Sequence, residues 1–246
     1  MKVNVIFSHN NYDELFFASK TSVVIDVLRA SSTIVTALQN GAKEIIPVAS
    51  VEFAVKISGG LFTGQTLICG ERNTKMIEGF ALGNSPLEFT KDKIAGKSII
   101  LYTTNGSKAV VKAKFSENLF VTTFLNLSAV TKKLMEINKD TEIICSGRGN
   151  DISLEDIVCA GKLVSEIQKY KEDIELSDSS RASISLNKSF GINIYKMLKD
   201  TEHGQILIEN GFEKDIEYCS KLDLLDAVPV FTNNALRLMS AVKPVV

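Results

Sequence analysis

Short apolar runs rich in β-branched residues alternate with amphipathic segments along most of the chain, and that alternation restricts the fold to a few architectures. Residues 23–27 read as a buried strand and residues 31–40 as a helix stopped by Gly41. Residues 44–48 predict the next strand, residues 50–57 a helix ending at Gly59-Gly60, and residues 66–69 a third strand. Residues 98–102 predict a fourth strand, followed by a helix over about 106–114. Residues 118–123 and 142–145 repeat the theme, each followed by a helical pattern. Strand and helix in strict alternation imply βαβ units and an α/β fold, a mostly parallel sheet covered by helices on both faces. Residues 72–96 break the pattern with Gly, Asn, Pro and charge, and a loop that long is usually functional. After Ser177 the chain reads as mainly helical, with a last apolar run at 227–231. No linker divides it, so residues 1–246 are expected to form a single domain, with room for two lobes whose boundary cannot be assigned.

Composition narrows the partners. Lys and Arg number 28 against 29 Asp and Glu, for a formal net charge of −1. That balance leaves no electrostatic footprint for nucleic acid or an anionic membrane surface, while a few cations in one pocket could still hold a small anion. No apolar run approaches the ~18 residues of a membrane span, and the N-terminal apolar stretch is too short for a signal-peptide core. The four cysteines, Cys69, Cys145, Cys159 and Cys219, show no paired spacing and are expected to be reduced and buried, which makes the cytoplasm the expected compartment.

In parallel sheets ligands sit outside the carboxyl ends of the strands, so those ends carry the chemistry. The first reads Asp26-Val27-Leu28-Arg29-Ala30-Ser31-Ser32-Thr33. Ser31 or Ser32 would serve as a helix cap, but an acid at the end of an apolar strand is costly unless paired or bound to metal. Cys69-Gly70-Glu71-Arg72 again sets an acid beside an arginine. Tyr102-Thr103-Thr104-Asn105-Gly106-Ser107 opens a helix with hydroxyls and an amide suited to an oxyanion. Between these two lies the loop Gly79-Phe80-Ala81-Leu82-Gly83-Asn84-Ser85-Pro86. The fourth end, Cys145-Ser146-Gly147-Arg148-Gly149-Asn150-Asp151, runs into Ser153-Leu154-Glu155-Asp156, where Ser153 and Asp156 resemble a capping box. Carboxylates gathered with Arg, Thr and Asn suggest a Mg²⁺ site handling a phosphorylated substrate, because hard oxygen ligands suit Mg²⁺. Residues 59–66 have P-loop glycine spacing, but Gln65 stands where the lysine belongs and the stretch precedes a strand. His203 reads as a helix-surface or cap residue, and with His9 the only other histidine a zinc–histidine cluster is not expected.

Taken in order, Val24-Ile25-Asp26-Val27-Leu28-Arg29-Ala30-Ser31, Gly70-Glu71-Arg72, Gly83-Asn84-Ser85-Pro86 and Thr103-Thr104-Asn105-Gly106 resemble the 2-phosphosulfolactate phosphatase family. Leu154-Glu155-Asp156 with Cys159-Ala160-Gly161, and later His203-Gly204, Leu207 and Asp215, extend the resemblance over nearly the whole chain. It implies a three-layer α/β/α fold, a homodimer, and a Mg²⁺-dependent phosphomonoesterase that converts 2-phospho-3-sulfolactate to 3-sulfolactate and phosphate. Two departures stand in loops that could touch substrate. Asn73-Thr74 replace the family's glycines after Gly-Glu-Arg, and Ala81 replaces its usual Asp.

On this reading Asp26 and Glu71 bind Mg²⁺, with Glu155 or Asp156 completing the shell, and Asp26, Arg29, Glu155 and Asp156 form the catalytic set. Arg29 and Arg72 clamp anionic groups, since a guanidinium fork matches phosphate and sulfonate oxygens. Thr103, Thr104 and Asn105 cradle the phosphoryl oxygens, Asn84 and Ser85 close from the loop, and Arg148 joins the substrate-binding set. The alternatives are a phosphatase of the same scaffold acting on another small phosphorylated acid, and a catalytically silent anion-binding relative.

Overall fold

A computed structural model describes residues 1–59 and 65–239. The glycine-spaced stretch at 59–66 therefore falls largely outside the described residues. The strands are β1 (Lys2–Ile6), β2 (Thr21–Ile25), β3 (Glu44–Val48), β4 (Thr66–Arg72), β5 (Lys75–Met76), β6 (Ser98–Tyr102), β7 (Asn118–Thr122), β8 (Thr141–Cys145), β9 (Glu175–Leu176), β10 (Pro229–Thr232) and β11 (Ala235–Leu238). The helices are α1 (Ala30–Gln39), α2 (Val51–Ser58), α3 (Lys91–Ile94), α4 (Gly106–Lys112), α5 (Leu127–Ile137), α6 (Leu154–Tyr170), α7 (Asp178–Phe190), α8 (Ile194–Asp200), α9 (Glu202–Glu209) and α10 (Glu213–Cys219).

The strands form one 11-stranded sheet in the order β5-β4-β6-β3-β11-β10-β7-β2-β8-β1-β9. It consists of two parallel blocks, β4-β6-β3 and β7-β2-β8-β1-β9. An antiparallel hairpin, β10–β11, joins them, pairing Val230 with Phe120 on one side and Leu236 with Ile45 on the other. Its two-residue turn, Asn233-Asn234, holds both residues at positive φ (50° and 60°). That is the conformation a tight hairpin needs and asparagine tolerates. The sequence pattern showed the apolar run of β10 but neither its return strand nor β1.

The core explains the layers. Every residue of β2 is buried, and successive side chains face opposite ways. Val23 and Ile25 pack with α5 and α6, while Val24 joins α1 and α4 on the other face. In the second block Ile99 and Leu101 also reach the α1–α4 layer, whereas Ile100 and Tyr102 pack near Ala54 of α2. Both blocks therefore share the α1–α4 layer. Fully burying a valine or isoleucine contributes about 1.5–3 kcal/mol, so this alternation fixes the register of β2 and β6. The three-layer α/β expectation holds. The segment read as a loop over 72–96 carries β5, a 3-10 turn at Pro86–Glu88 and α3. All four cysteines are buried and free.

Candidate active site

The carboxyl ends of β2, β4, β6 and β8 open into one cavity of about 620 Å³, whose walls include Asp26, Glu71, Arg72, Thr104, Asn105 and Arg148. Arg29, Asn84 and Thr103 line it too, so the four strand ends picked out in the sequence converge. A second, much smaller void of about 10 Å³ adjoins it and is lined by Asp26, Glu155 and Asp156 with Ser146. Asp26, Leu28, Asn105, Arg148 and His203 border both spaces.

Asp26 follows β2 and is held by the start of α1. Its Oδ1 accepts from the Ala30 N–H at 3.0 Å, and its own N–H donates to Ser31 Oγ at 2.9 Å. The carboxylate therefore takes the capping role expected of Ser31 or Ser32, whose hydroxyls turn inward; Ser32 Oγ donates to the Val27 carbonyl at 2.8 Å. Gly106 allows this approach, because a Cβ there would lie 2.3 Å from Asp26 Oδ2 and 2.4 Å from Ala30 Cβ. Ser153 and Asp156 likewise form no capping box. The Asp156 carboxylate accepts from the Val27 N–H at 2.8 Å and from Ser146 Oγ at 3.0 Å, and the Ser153 side chain caps nothing. Asp156 thus ties α6 to the strand end that carries Asp26.

Burial dominates the electrostatics of these acids. It pushes Asp26 up to about 6, with the charge of Glu71 adding to the effect. Burial also raises Glu155 to about 7, with Asp26 adding, and lifts Asp156 well above the usual carboxylate range. None of the three forms a salt bridge among the described residues. Three buried acids around one void call for protons or a cation. Among the described residues no three His, Cys, Asp or Glu side chains are gathered to hold a metal unaided. Mg²⁺ does not require that, since it binds through one or two carboxylates plus water and substrate phosphate. The oxygen-only donor set fits such an ion.

Glu71 and Arg29 shape the walls. Glu71 is buried and accepts from Thr74 N at 2.8 Å through Oε2 and from Thr104 N at 2.8 Å through Oε1. Arg29 Nη1 meets Asp215 Oδ2 at 2.7 Å with the two side chains 2% and 3% exposed, and Nη2 donates to the Thr74 carbonyl at 2.7 Å. Its guanidinium also lies 4.1 Å over the Phe212 ring. Ser85 Oγ donates to Asp215 Oδ1 at 2.7 Å and is not among the cavity-lining residues. Thr103 Oγ1 accepts from Ser107 N at 2.8 Å, closing the first turn of α4.

Sequence reasoning gave no role in the cavity to Lys75, Asn210 or His203, which line it, whereas Asn73 and Thr74, singled out as departures in a loop that could touch substrate, do line it. His203 is a correction, because it is no surface or cap residue. It stands on α9 and borders both spaces beside Leu28; burial, then the charges of Arg29 and Arg148, hold it near 4 and therefore neutral. No periodicity announced it; its signal in the sequence was the His203-Gly204 pair within the family resemblance.

Sheet and cavity together define an α/β protein with an acid-lined void opening onto a vestibule that bears Arg72, Lys75 and Arg148. The family model described as 2-phosphosulpholactate phosphatase matches residues 8–234, and the chain belongs to that family. A relative from Caldanaerobacter subterraneus subsp. tengcongensis is 41% identical over 230 residues, 94% of this chain and 95% of its own. One from Thermotoga petrophila is 43% identical over 219 residues, covering 89% and 92%. One from Clostridium beijerinckii is 34% identical over 236 residues, covering 96% and 99%. All three bear the name "Probable 2-phosphosulfolactate phosphatase".

Proposed function

We propose that this chain is a phosphoric monoester hydrolase that releases phosphate from 2-phospho-3-sulfolactate, with Mg²⁺ as cofactor. The observation that carries the reading is the acid-lined void of Asp26, Glu155 and Asp156 opening onto a vestibule that bears Arg72, Lys75 and Arg148. Water attacks phosphorus, the bond from phosphorus to the C2 oxygen breaks, and that oxygen takes a proton to become the product hydroxyl. Asp26 and Glu155 would hold Mg²⁺, with Glu71 reaching it through water, and the ion would neutralise charge on the phosphoryl oxygens. Asn105 and Arg148 border both spaces and bind the phosphoryl group where they meet. Burial raises Asp156 well above the usual carboxylate range, and its bonds to the Val27 N–H and Ser146 Oγ hold the chain directly after Asp26. A homodimer and a cytoplasmic location complete the reading. Buried free cysteines support the compartment, and no helix of the described residues is long and apolar enough to cross a membrane.

Asp26→Asn tests the assignment. It keeps the volume and removes the charge, so turnover should fall at least 1,000-fold, about 4 kcal/mol of transition-state stabilisation. Near-normal activity that still depends on Mg²⁺ would sink the assignment.

A further inference from the structure

Thr74 stands in a conformation that its side chain does not favour. Asn73 and Thr74 have φ of 54° and 69°, and of the two only asparagine adopts the left-handed region with ease. A β-branched residue there is strained, and it persists only because its surroundings hold it. Both backbone groups of Thr74 are held: its N–H by Glu71 Oε2 at 2.8 Å and its carbonyl by Arg29 Nη2 at 2.7 Å. Its hydroxyl has no such partner. Thr74 is 6% exposed, and Oγ1 makes no hydrogen bond among the described residues. Buried hydroxyls are nearly always paired, so an orphan in a cavity wall points to a ligand.

Three further buried atoms without a hydrogen bond belong to residues of that cavity: Thr104 Oγ1, Asn84 Oδ1 and Arg148 Nη1, the last on a residue that also borders the acid-lined void. Glu71 binds the backbone N–H groups of Thr74 and Thr104 with its two oxygens and so links the threonines through one carboxylate. Arg72 and Lys75 flank Thr74 in sequence and line the same cavity. Thr74, Thr104, Glu71, Arg72 and Lys75 do not border the acid-lined void. These residues therefore line the part of the cavity away from the acid-lined void.

We propose that Thr74 and Thr104 form a subsite for the anionic group that the substrate keeps, with Thr74 the residue that sets specificity. Both hydroxyls donate to an oxygen of a sulfonate or carboxylate on the carbon skeleton, and Arg72 and Lys75 supply the charge. The proposal rests on the phosphatase reading and reassigns Thr104 from the phosphoryl group to the opposite end of the substrate.

The test compares the wild type with Thr74→Val and Thr74→Ser. Valine keeps the branched shape and both backbone bonds but removes the hydroxyl; serine restores it. The substrates are 2-phospho-3-sulfolactate, 2-phospholactate, which lacks the sulfonate, and glycerol 2-phosphate, which lacks both sulfonate and carboxylate. Binding of 3-sulfolactate is measured in parallel by calorimetry. With valine, KM for the sulfonate substrate and Kd for 3-sulfolactate should rise about tenfold, the worth of a hydrogen bond to a charged group. The loss should fall on KM rather than kcat, spare glycerol 2-phosphate and be reversed by serine. A loss confined to the sulfonate substrate identifies the retained group as the sulfonate, and an equal loss with 2-phospholactate identifies it as the carboxylate. Unchanged affinity throughout, or an equal loss on all three substrates, overturns the proposal. If the wild type releases no phosphate at all, the phosphatase reading falls, while the 3-sulfolactate affinities still decide the role of Thr74. A wild type that does not bind 3-sulfolactate overturns the subsite as well.

Discussion

Replacing Asp215 with alanine should cost more stability than a typical core truncation, although Asp215 lies far from Arg29 in sequence. Arg29 Nη1 and Asp215 Oδ2 are 2.7 Å apart with both side chains almost fully buried, so solvent screens the pair little. Removing the carboxylate leaves the guanidinium with the Thr74 carbonyl and the Phe212 ring, neither of which carries a compensating charge. It also removes the acceptor of Ser85 Oγ. Breaking a buried pair from one side costs about 3–5 kcal/mol, because a charge stays buried unpaired. At roughly 2–4 °C per kcal/mol for a chain of this size, Tm should fall by about 10 °C. Urea unfolding and scanning calorimetry at pH 7 measure the effect. The double variant Arg29→Met with Asp215→Leu should recover most of the loss, giving a coupling energy of about 2 kcal/mol or more. An Asp215→Ala protein within about 1 kcal/mol of wild type would refute the reasoning. So would a double variant no more stable than the single one.

The buried acids make the metal-free protein sensitive to pH. Asp26 and Glu155 are raised to about 6 and about 7, and Asp156 is raised well above its ordinary value, so their contribution is greatest when they are protonated and is lost as pH climbs through the raised values. His203, held near 4, and His9, also lowered, act in the opposite sense, but only below about pH 6.5, where the unfolded imidazoles protonate. In EDTA, stability should therefore fall by roughly 1 kcal/mol or more between pH 6.5 and 8, and added Mg²⁺ should flatten the slope; a flat or rising curve in EDTA contradicts the account. Gly106→Ala would place a Cβ 2.3 Å from Asp26 Oδ2. It should cost about 1–3 kcal/mol by overpacking and lower kcat about 100-fold by displacing Asp26, as thermal melts and steady-state rates would show.

Strands β2, β3 and β6 were legible because all are apolar and bounded by turn residues, so periodicity and burial agree. The strand-end acids were legible for the opposite reason, since Asp26 breaks an apolar run where a charge is costly. What stayed hidden depends on tertiary placement. The β10–β11 hairpin joins two blocks built from earlier parts of the chain, and nothing local marks Ala235–Leu238 as a strand between β10 and β3. His203 and Asp215 lie on short helices whose local patterns resemble any capped helix, and only packing of α9 and α10 near the β2 strand end gives them roles. Asp156 shows how local logic misleads: its spacing from Ser153 fits a cap, but its oxygens are taken by Val27 and Ser146. Thr74 was visible only as a departure from the glycines that the resemblance implies there, and its φ of 69° lies in the left-handed region that glycine adopts freely.

Phosphate release by the purified protein from 2-phospho-3-sulfolactate, 2-phospholactate and 3-phosphoglycerate, each with Mg²⁺ and with EDTA, decides whether this protein turns over its substrate or only binds it. Rapid release that requires Mg²⁺ and prefers the sulfonate substrate is the expected result. No release from any of the three with Mg²⁺ present would contradict it and leave a protein that binds anions without turning them over.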